Sequence, residues 1–436
     1  MSRVWGGVRG LTPRTVLLLG YALFFIWAFP GYMSNDSTLQ LEEARRGVFS
    51  DGNPPLMAVE WMCLDKIVAG PILMLILQSL LFFGGLFVLL GRFMSQRAAA
   101  WTAAAILLFP PVMTPMAVIW KDSQMAAYLL AGTAALTSPR LRIRLLGLGL
   151  LVAACLMRHN ALAAAAPLVG IIFEWRNPIA WWKRLGMIVA AAILALGALL
   201  AVNRVIAKNH VKMTPAFHDI VGVIAFSDDR TDDELRESLR GVPLAFDHDI
   251  QQRCRKVFAM RGVWRVMWGE DRIFEYPQTD EQWAAINRAW KQLVLDNPHA
   301  YLASHWDVFR TVLGVSERPR APVYNLYVEV DSVAPLIHHN AAPSRAQAYY
   351  GKLLYWLADD TPMFRPWIYM VIALLLIALA SRDRITLGLF ASGILYELSF
   401  VPAFAEPDSR YSHWMITATT IAAVLLFVQR RRKASS

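Results

Sequence analysis

Residues 69–91 read AGPILMLILQSLLFFGGLFVLLG, a stretch with no charged side chain, in which Gln78 and Ser79 are the polar interruptions. As an α-helix rising ~1.5 Å per residue it reaches about 34 Å, enough to cross about 30 Å of hydrocarbon. A soluble surface helix would carry polar residues along one face, and this stretch has no such face. Further apolar runs lie at about 12–30, 98–118, 123–138, 142–157, 160–174, 185–206, 365–380, 385–404 and 412–429. The shorter ones draw on flanking residues for their length. The expected fold is an all-α polytopic membrane protein with about ten transmembrane helices.

Composition agrees, with 56% hydrophobic and 17% charged residues. The net charge of +10 would suggest nucleic acid in a soluble protein. Here the basic residues sit in alternate connections: Arg92 and Arg97; Arg140, Arg142 and Arg144; Arg176, Lys183 and Arg184; Arg382 and Arg384; then the tail from Arg430 to Lys433. The positive-inside rule puts these connections and both termini in the cytoplasm, so no nucleic acid partner is expected. A multi-pass protein of a bacterial inner membrane is predicted. Arg3, Arg9 and Arg14 precede the first apolar run as in a signal peptide, but no small-residue cleavage site follows, which predicts a retained helix. Cys63, Cys155 and Cys254 form no CxxC pair and have no histidine at metal spacing, so neither a disulfide framework nor a zinc site is indicated.

This pattern divides the chain into a seven-helix module over 1–206, an extracytoplasmic domain over 207–364, and a three-helix module with a basic tail over 365–436. Two outer segments are too long to be mere connectors, 31–68 and about 207–364, and function is expected to concentrate there. Within the second, Thr279 to Leu295 reads as an amphipathic helix with a Thr279/Gln282 capping box, and another helix is predicted from Pro298 to Leu313. This predicts a mainly helical soluble outer domain.

Polar residues cost most where the apolar runs end. The first outer loop, PGYMSNDSTLQLEEARRG over 30–47, predicts a short helix capped by Asp36 or Ser37 and ending at Gly47. LMAVEWMCLDKI over 56–67 predicts a second juxtamembrane helix. Asp36 is either a helix cap or an ionised base at the water boundary. The turn VIWKDSQMAAYLL over 118–130 holds Lys121 and Asp122 at the interface, either as a snorkelling pair or as a site for phosphate and a divalent cation. LMRHNAL over 156–162 adds Arg158, His159 and Asn160, and AEPDSRYSHW over 405–414 adds Glu406, Asp408, Arg410, Tyr411 and His413. Glu397, within the ninth run, needs a partner, and Arg158 or Arg410 is expected to supply it.

An acidic amphipathic first loop, a short WKD turn, an outer arginine turn and a late RY motif, in that order, resemble the GT-C superfamily of membrane glycosyltransferases. Its members include protein O-mannosyltransferases and the enzymes that add aminoarabinose to lipid A. The resemblance covers about 12–206 and 365–429, with DNPHAYLASHWDVF over 296–309 as a general likeness in the outer domain. It implies transfer of a sugar, usually with inversion, from a polyprenyl-phosphate carrier to an envelope glycan such as lipopolysaccharide, a lipid or a protein on the outer side.

By that resemblance Asp36 is the catalytic base, Lys121, Arg158, His159, Arg410 and Tyr411 bind the donor phosphate, and Asp122 is the expected ligand of a divalent metal, magnesium or manganese. Many relatives have two adjacent acids where this chain has Lys121 and Asp122, a departure that counts against the metal. The chain has no glycine-rich phosphate loop in a strand-to-helix context, which agrees with a lipid-linked donor. A lipid-linked oligosaccharide polymerase or ligase is the alternative, with catalysis by Arg and His of the large loop. A transporter would show inverted repeats and charges deep within spans, of which only Glu397 is found.

Overall fold

Capping side chains and prolines set the helix starts. The Thr12 hydroxyl accepts the Thr15 N–H, Pro13 takes the first helical position, and α1 runs Pro13–Ala28. The computed structural model describes residues 11–50, 54–173, 180–209, 216–260, 262–315, 343–380, 383–402 and 408–435. The chain is mostly helical and divides into two units: one of Met1–Val211, Ala321–Leu398 and Arg410–Ser436, the other of Lys212–Arg320 and Ser399–Ser409.

In the first unit α1 leads to α2 (Asn35–Arg46), β1 (Phe49–Ser50), α3 (Leu56–Asp65), α4 (Ile72–Leu90), α5 (Gln96–Leu107), α6 (Pro110–Met116), α7 (Lys121–Leu136), α8 (Leu141–Met157), α9 (Ala161–Pro167), α10 (Trp181–Ile206) and β2 (Ala207–Asn209). The two strands pair in parallel, Phe49 against Ala207. The second unit holds α11 (Ala216–Phe226), α12 (Asp232–Ser238), α13 (Ile250–Ala259), α14 (Asp280–Asp296) and α15 (Pro298–Val312). The chain returns to the first unit with α16 (Arg345–Asp360), α17 (Pro366–Ile377), α18 (Arg384–Leu398) and α19 (His413–Ser435).

Each of the ten apolar runs contains helix, but the expected count of about ten spans is not reached. Among the described residues, three helices are long and apolar enough to cross a membrane: Ile72–Leu90, Trp181–Ile206 and Arg410–Ala434. A fourth is added if α5 and α6, bent by 71°, are taken as one. The reasons are local. Pro110 and Pro111 break the third run, Pro167 leads into a π-helical turn over Leu168–Ile172, and α1, α7, α8 and α18 have 15 to 17 residues, short of the ~20 that hydrocarbon demands.

Small residues let these helices touch backbone to backbone. A Cβ on Gly85 of α4 would lie 2.9 Å from the Ala131 backbone of α7, which fixes how closely the two helices approach. At the end of α1, the Gln347 side chain from α16 donates to the Trp27 and Phe29 carbonyls at 2.9 and 2.7 Å. α16 therefore packs with the first unit, and the extracytoplasmic segment expected over 207–364 is shared between the two units.

The first outer loop folds into two helices, as expected, though with a different cap. Ser34 is the N-cap of α2, its N–H donating to Ser37 Oγ at 3.0 Å, and Asp36 lies inside the first turn. Gly47, at φ 64°, closes α2 in the left-handed region. Arg45 grips Asp65 with two hydrogen bonds, 2.8 and 3.1 Å, locking α2 to α3. In the second unit the Thr279/Gln282 capping box forms, and α14 and α15 fall at the two predicted helices.

Candidate functional site

Why an extended segment follows α6 is visible in its hydrogen bonds. Broken by prolines, α6 ends at Met116, and the next residues pair with the start of the first outer loop: Tyr32 N–H donates to Ala117 O at 2.9 Å and Ile119 N–H to Tyr32 O at 2.8 Å. Ser37 Oγ donates to Ile119 O at 2.7 Å, and Trp120 Nε1 donates to Ser34 Oγ at 2.6 Å. Beneath them Gln78, fully buried in α4, donates to the carbonyls of Met116 and Val118 at 2.8 and 2.9 Å. The first turns of α2 and α7 are thereby stapled together, with Asp36 on one and Lys121 and Asp122 on the other.

Two arginines from distant parts of the sequence meet these acids. Arg410 Nη1 lies 2.8 Å from Asp36 Oδ2, with side chains 10% and 37% exposed. Arg158, at the end of α8, pairs with Asp122. The Arg158 guanidinium lies 4.4 Å from the centre of the Tyr411 ring, and that of Arg410 lies 4.9 Å from Trp120 and 5.1 Å from Tyr411. The aromatic faces hold both cations where few waters reach them. Lys121, half-buried, sits in the field of Asp36, Asp122, Arg158 and Arg410.

Burial alone would raise the Asp36 pKa. Arg410, then Lys121 and Arg158, outweigh that cost and hold it below the ordinary carboxylate range. Asp36 is therefore an anion at neutral pH. Among the described residues of this cluster, Lys121, Arg158 and Arg410 face the carboxylates of Asp36 and Asp122.

Five of the seven predicted residues thus form one connected cluster: Asp36, Asp122, Arg158, Arg410 and Tyr411. Lys121 adjoins it electrostatically. His159 lies at its border, where its exposed ring still has a lowered pKa from the protein around it and from the charges of Lys121 and Arg158. The reading of Asp36 as a helix cap is replaced, because Ser34 caps α2 and Asp36 faces Arg410.

For the expected metal, Asp122 offers one buried carboxylate oxygen, Oδ2, that has no hydrogen-bond partner among the described residues. Each acid is engaged by an arginine, and among the described residues no group of three or more His, Cys, Asp or Glu is placed to hold a metal ion. Glu397 meets neither arginine: its Oε1 accepts from Ser412 Oγ at 2.7 Å, since the acids of the first two loops already hold both guanidinium groups. Glu406 lies outside the described residues, and His413 is buried against Phe82.

Sequence reasoning missed two glutamines. Gln78 carried a signal, as the lone amide in a long apolar run. Gln40 carried a weaker one: it follows Asp36 by four residues and so shares its helix face. No family model, no curated protein and no solved structure matches this chain.

Proposed function

We propose that the chain is a polytopic membrane glycosyltransferase of GT-C-like architecture, with both termini cytoplasmic in a bacterial inner membrane. It moves a sugar from a polyprenyl-phosphate carrier to an envelope glycan, lipid or protein acceptor on the outer side. The observation that carries this reading is the pairing of Asp36 with Arg410, beside Arg158, Tyr411 and Lys121, at the ends of apolar helices. A base and a set of phosphate-binding cations in contact are what sugar transfer from a phosphate leaving group needs.

In the proposed reaction the acceptor hydroxyl gives its proton to Asp36 while its oxygen bonds to the anomeric carbon. The bond from that carbon to the phosphate oxygen breaks, and the polyprenyl phosphate leaves with the electron pair. Arg410, Arg158 and Lys121 neutralise the charge that develops on it. A donor phosphate that takes over Arg410 frees the Asp36 carboxylate for the acceptor. No nucleotide pocket is required.

The test is reconstitution in liposomes with a radiolabelled polyprenyl-phosphate sugar and an envelope lipid extract as acceptor. Wild-type protein is expected to transfer label, and Asp36→Asn to transfer none while still folding and inserting into the membrane. Arg158→Ala and Arg410→Ala are expected to weaken binding of the donor lipid more than that of the acceptor. Transfer by Asp36→Asn at the wild-type rate removes Asp36 from the role of base.

A further inference from the structure

The helical stretch Arg410–Ala434, which contains most of α19, is long and apolar enough to cross a membrane. From Arg410 to Arg430, at ~1.5 Å per residue, it rises about 30 Å, the thickness of the hydrocarbon. In a membrane-spanning α19, the end that carries Arg430, Arg431, Arg432 and Lys433 therefore lies at the boundary opposite the Asp36–Arg410 pair.

Leu426, Gln429, Arg430 and Lys433 recur at i, i+3, i+4 and i+7, so they share one face of α19. That face closes a cavity of about 330 Å³ together with Leu379 and Asp383, from the connection between α17 and α18. Asp383 fixes the wall: its Oδ2 accepts from the Thr386 N–H at 2.8 Å, from Thr386 Oγ1 and from Gln429 Nε2 at 2.9 Å, which caps α18 and ties it to α19. Among the described residues, the lining carries two cations, Arg430 and Lys433, and one carboxylate, Asp383. Arg431 and Arg432 fall on other faces, and the Arg431 guanidinium lies 4.4 Å from the centre of the exposed Phe427 ring.

We infer that this cavity seats the headgroup of an anionic phospholipid, its phosphate held by Arg430 and Lys433 and its first acyl methylenes laid against Leu379 and Leu426. Size, charge and place argue for that occupant. Ligand pockets run from about 300 to 1,000 Å³, so this one has room for a headgroup while the chains stay in the bilayer. The arginine brings a planar fork of donors to phosphate oxygens and the lysine a point charge. On the cytoplasmic side, where the proposed topology puts this end, a basic run meets a leaflet whose anionic lipids attract it. Attraction to the tail as a whole would use its four cations alike, whereas the cavity sets two of them apart. The inference uses the membrane-spanning reading of α19 and makes no use of sugar transfer.

The experiment titrates full-length protein in a neutral detergent, at fixed ionic strength, with dihexanoylphosphatidylglycerol, with the phosphatidylcholine of the same chain length and with inorganic phosphate, reading binding by thermophoresis. Saturable binding is expected for the phosphatidylglycerol alone. Arg430→Gln/Lys433→Gln should weaken it about thirtyfold, the effect of two basic residues beside anionic lipid. Arg431→Gln/Arg432→Gln removes the same charge from outside the cavity and should change it little. Leu379→Trp, which keeps every charge and fills the cavity mouth from an exposed position, should also abolish saturable binding.

Equal weakening by the two charge pairs would reduce the effect to diffuse attraction by the tail and overturn the assignment. Wild-type binding in Leu379→Trp, equal binding of the phosphatidylcholine, or inorganic phosphate binding as tightly as the lipid would each overturn it too, the last by making the ligand free phosphate. No sugar donor enters the titration, so its failure is distinct from a failure of the transfer assay.

Discussion

Asp122 and Arg158 form an ion pair between the start of α7 and the end of α8, with side chains 1% and 11% exposed. At that burial, removing one partner strands a charge in a low-dielectric setting. Asp122→Asn and Arg158→Leu are each expected to destabilise the fold by about 3–5 kcal/mol. The double variant Asp122→Leu/Arg158→Leu, with no charge left to strand, should recover most of that stability while still losing donor binding. Thermal melting of the three proteins checks this, and a double variant as unstable as the singles would show that the residues matter for reasons other than their pairing.

Asp36 and Arg410 are less enclosed, and their coupling is read best through pH. Burial favours the protonated carboxyl, and Arg410 is the largest influence opposing it. Because the folded pKa lies below the ordinary one, the stability this carboxylate contributes is present above that ordinary value and is lost as pH falls through the folded pKa. Arg410→Gln should raise the Asp36 pKa and so move the acid limb of the pH–rate profile upward. An acid limb that stays in place would assign it to another group.

Glu60 in α3 has the opposite sign. Burial raises its pKa to about 7, with only the hydrogen bond from Tyr128, 2.6 Å, acting against it. A carboxyl with a raised folded pKa stabilises fully below its unfolded value near 4.5, and that contribution fades as pH rises through about 7. Glu60→Gln should therefore gain melting temperature relative to wild type between pH 5 and pH 8. A difference that does not change with pH would mean that Glu60 is not titrating in the folded state.

How far the sequence reveals this site follows from what each residue costs in place. Asp36, Asp122, Arg158 and Arg410 stand out because a charge at the end of an apolar run is expensive and needs a reason. Which acid meets which base does not stand out. The sequence offered Glu397 an arginine, yet bundle packing gives it Ser412 and delivers both guanidinium groups to the outer-loop acids. Apolar runs were legible as helices, but their usable lengths were not, because Pro110, Pro111 and Pro167 act through backbone geometry that average hydropathy does not register. Gln40 is marked in sequence only by its four-residue spacing from Asp36, since one amide on an amphipathic helix looks like any solvated residue until its burial is known.

Gln78 carries the last prediction. Its Nε2 alone donates to two carbonyls, those of Met116 and Val118, and its Oε1 accepts from Gln124 at 3.3 Å. Because α6 ends at Met116, the Met116 carbonyl has no continuing helix to satisfy it and the buried amide supplies a donor, while the Val118 carbonyl also accepts the Trp120 N–H at 2.9 Å. Gln78→Leu leaves the Met116 carbonyl without this donor at about 1–3 kcal/mol and leaves the Val118 carbonyl only its bond from the Trp120 N–H. It also loosens the 117–120 segment, so Asp36 and Asp122 lose their mutual placement, and transfer should fall along with stability. Gln124→Leu removes one longer contact to Gln78 and leaves both carbonyl bonds intact, so it should cost less in melting temperature and leave transfer nearly unchanged. Equal effects from the two substitutions would mean that Gln78 acts by filling space in the bundle, and the placement of the site would then rest on the Tyr32, Ser37 and Trp120 bonds.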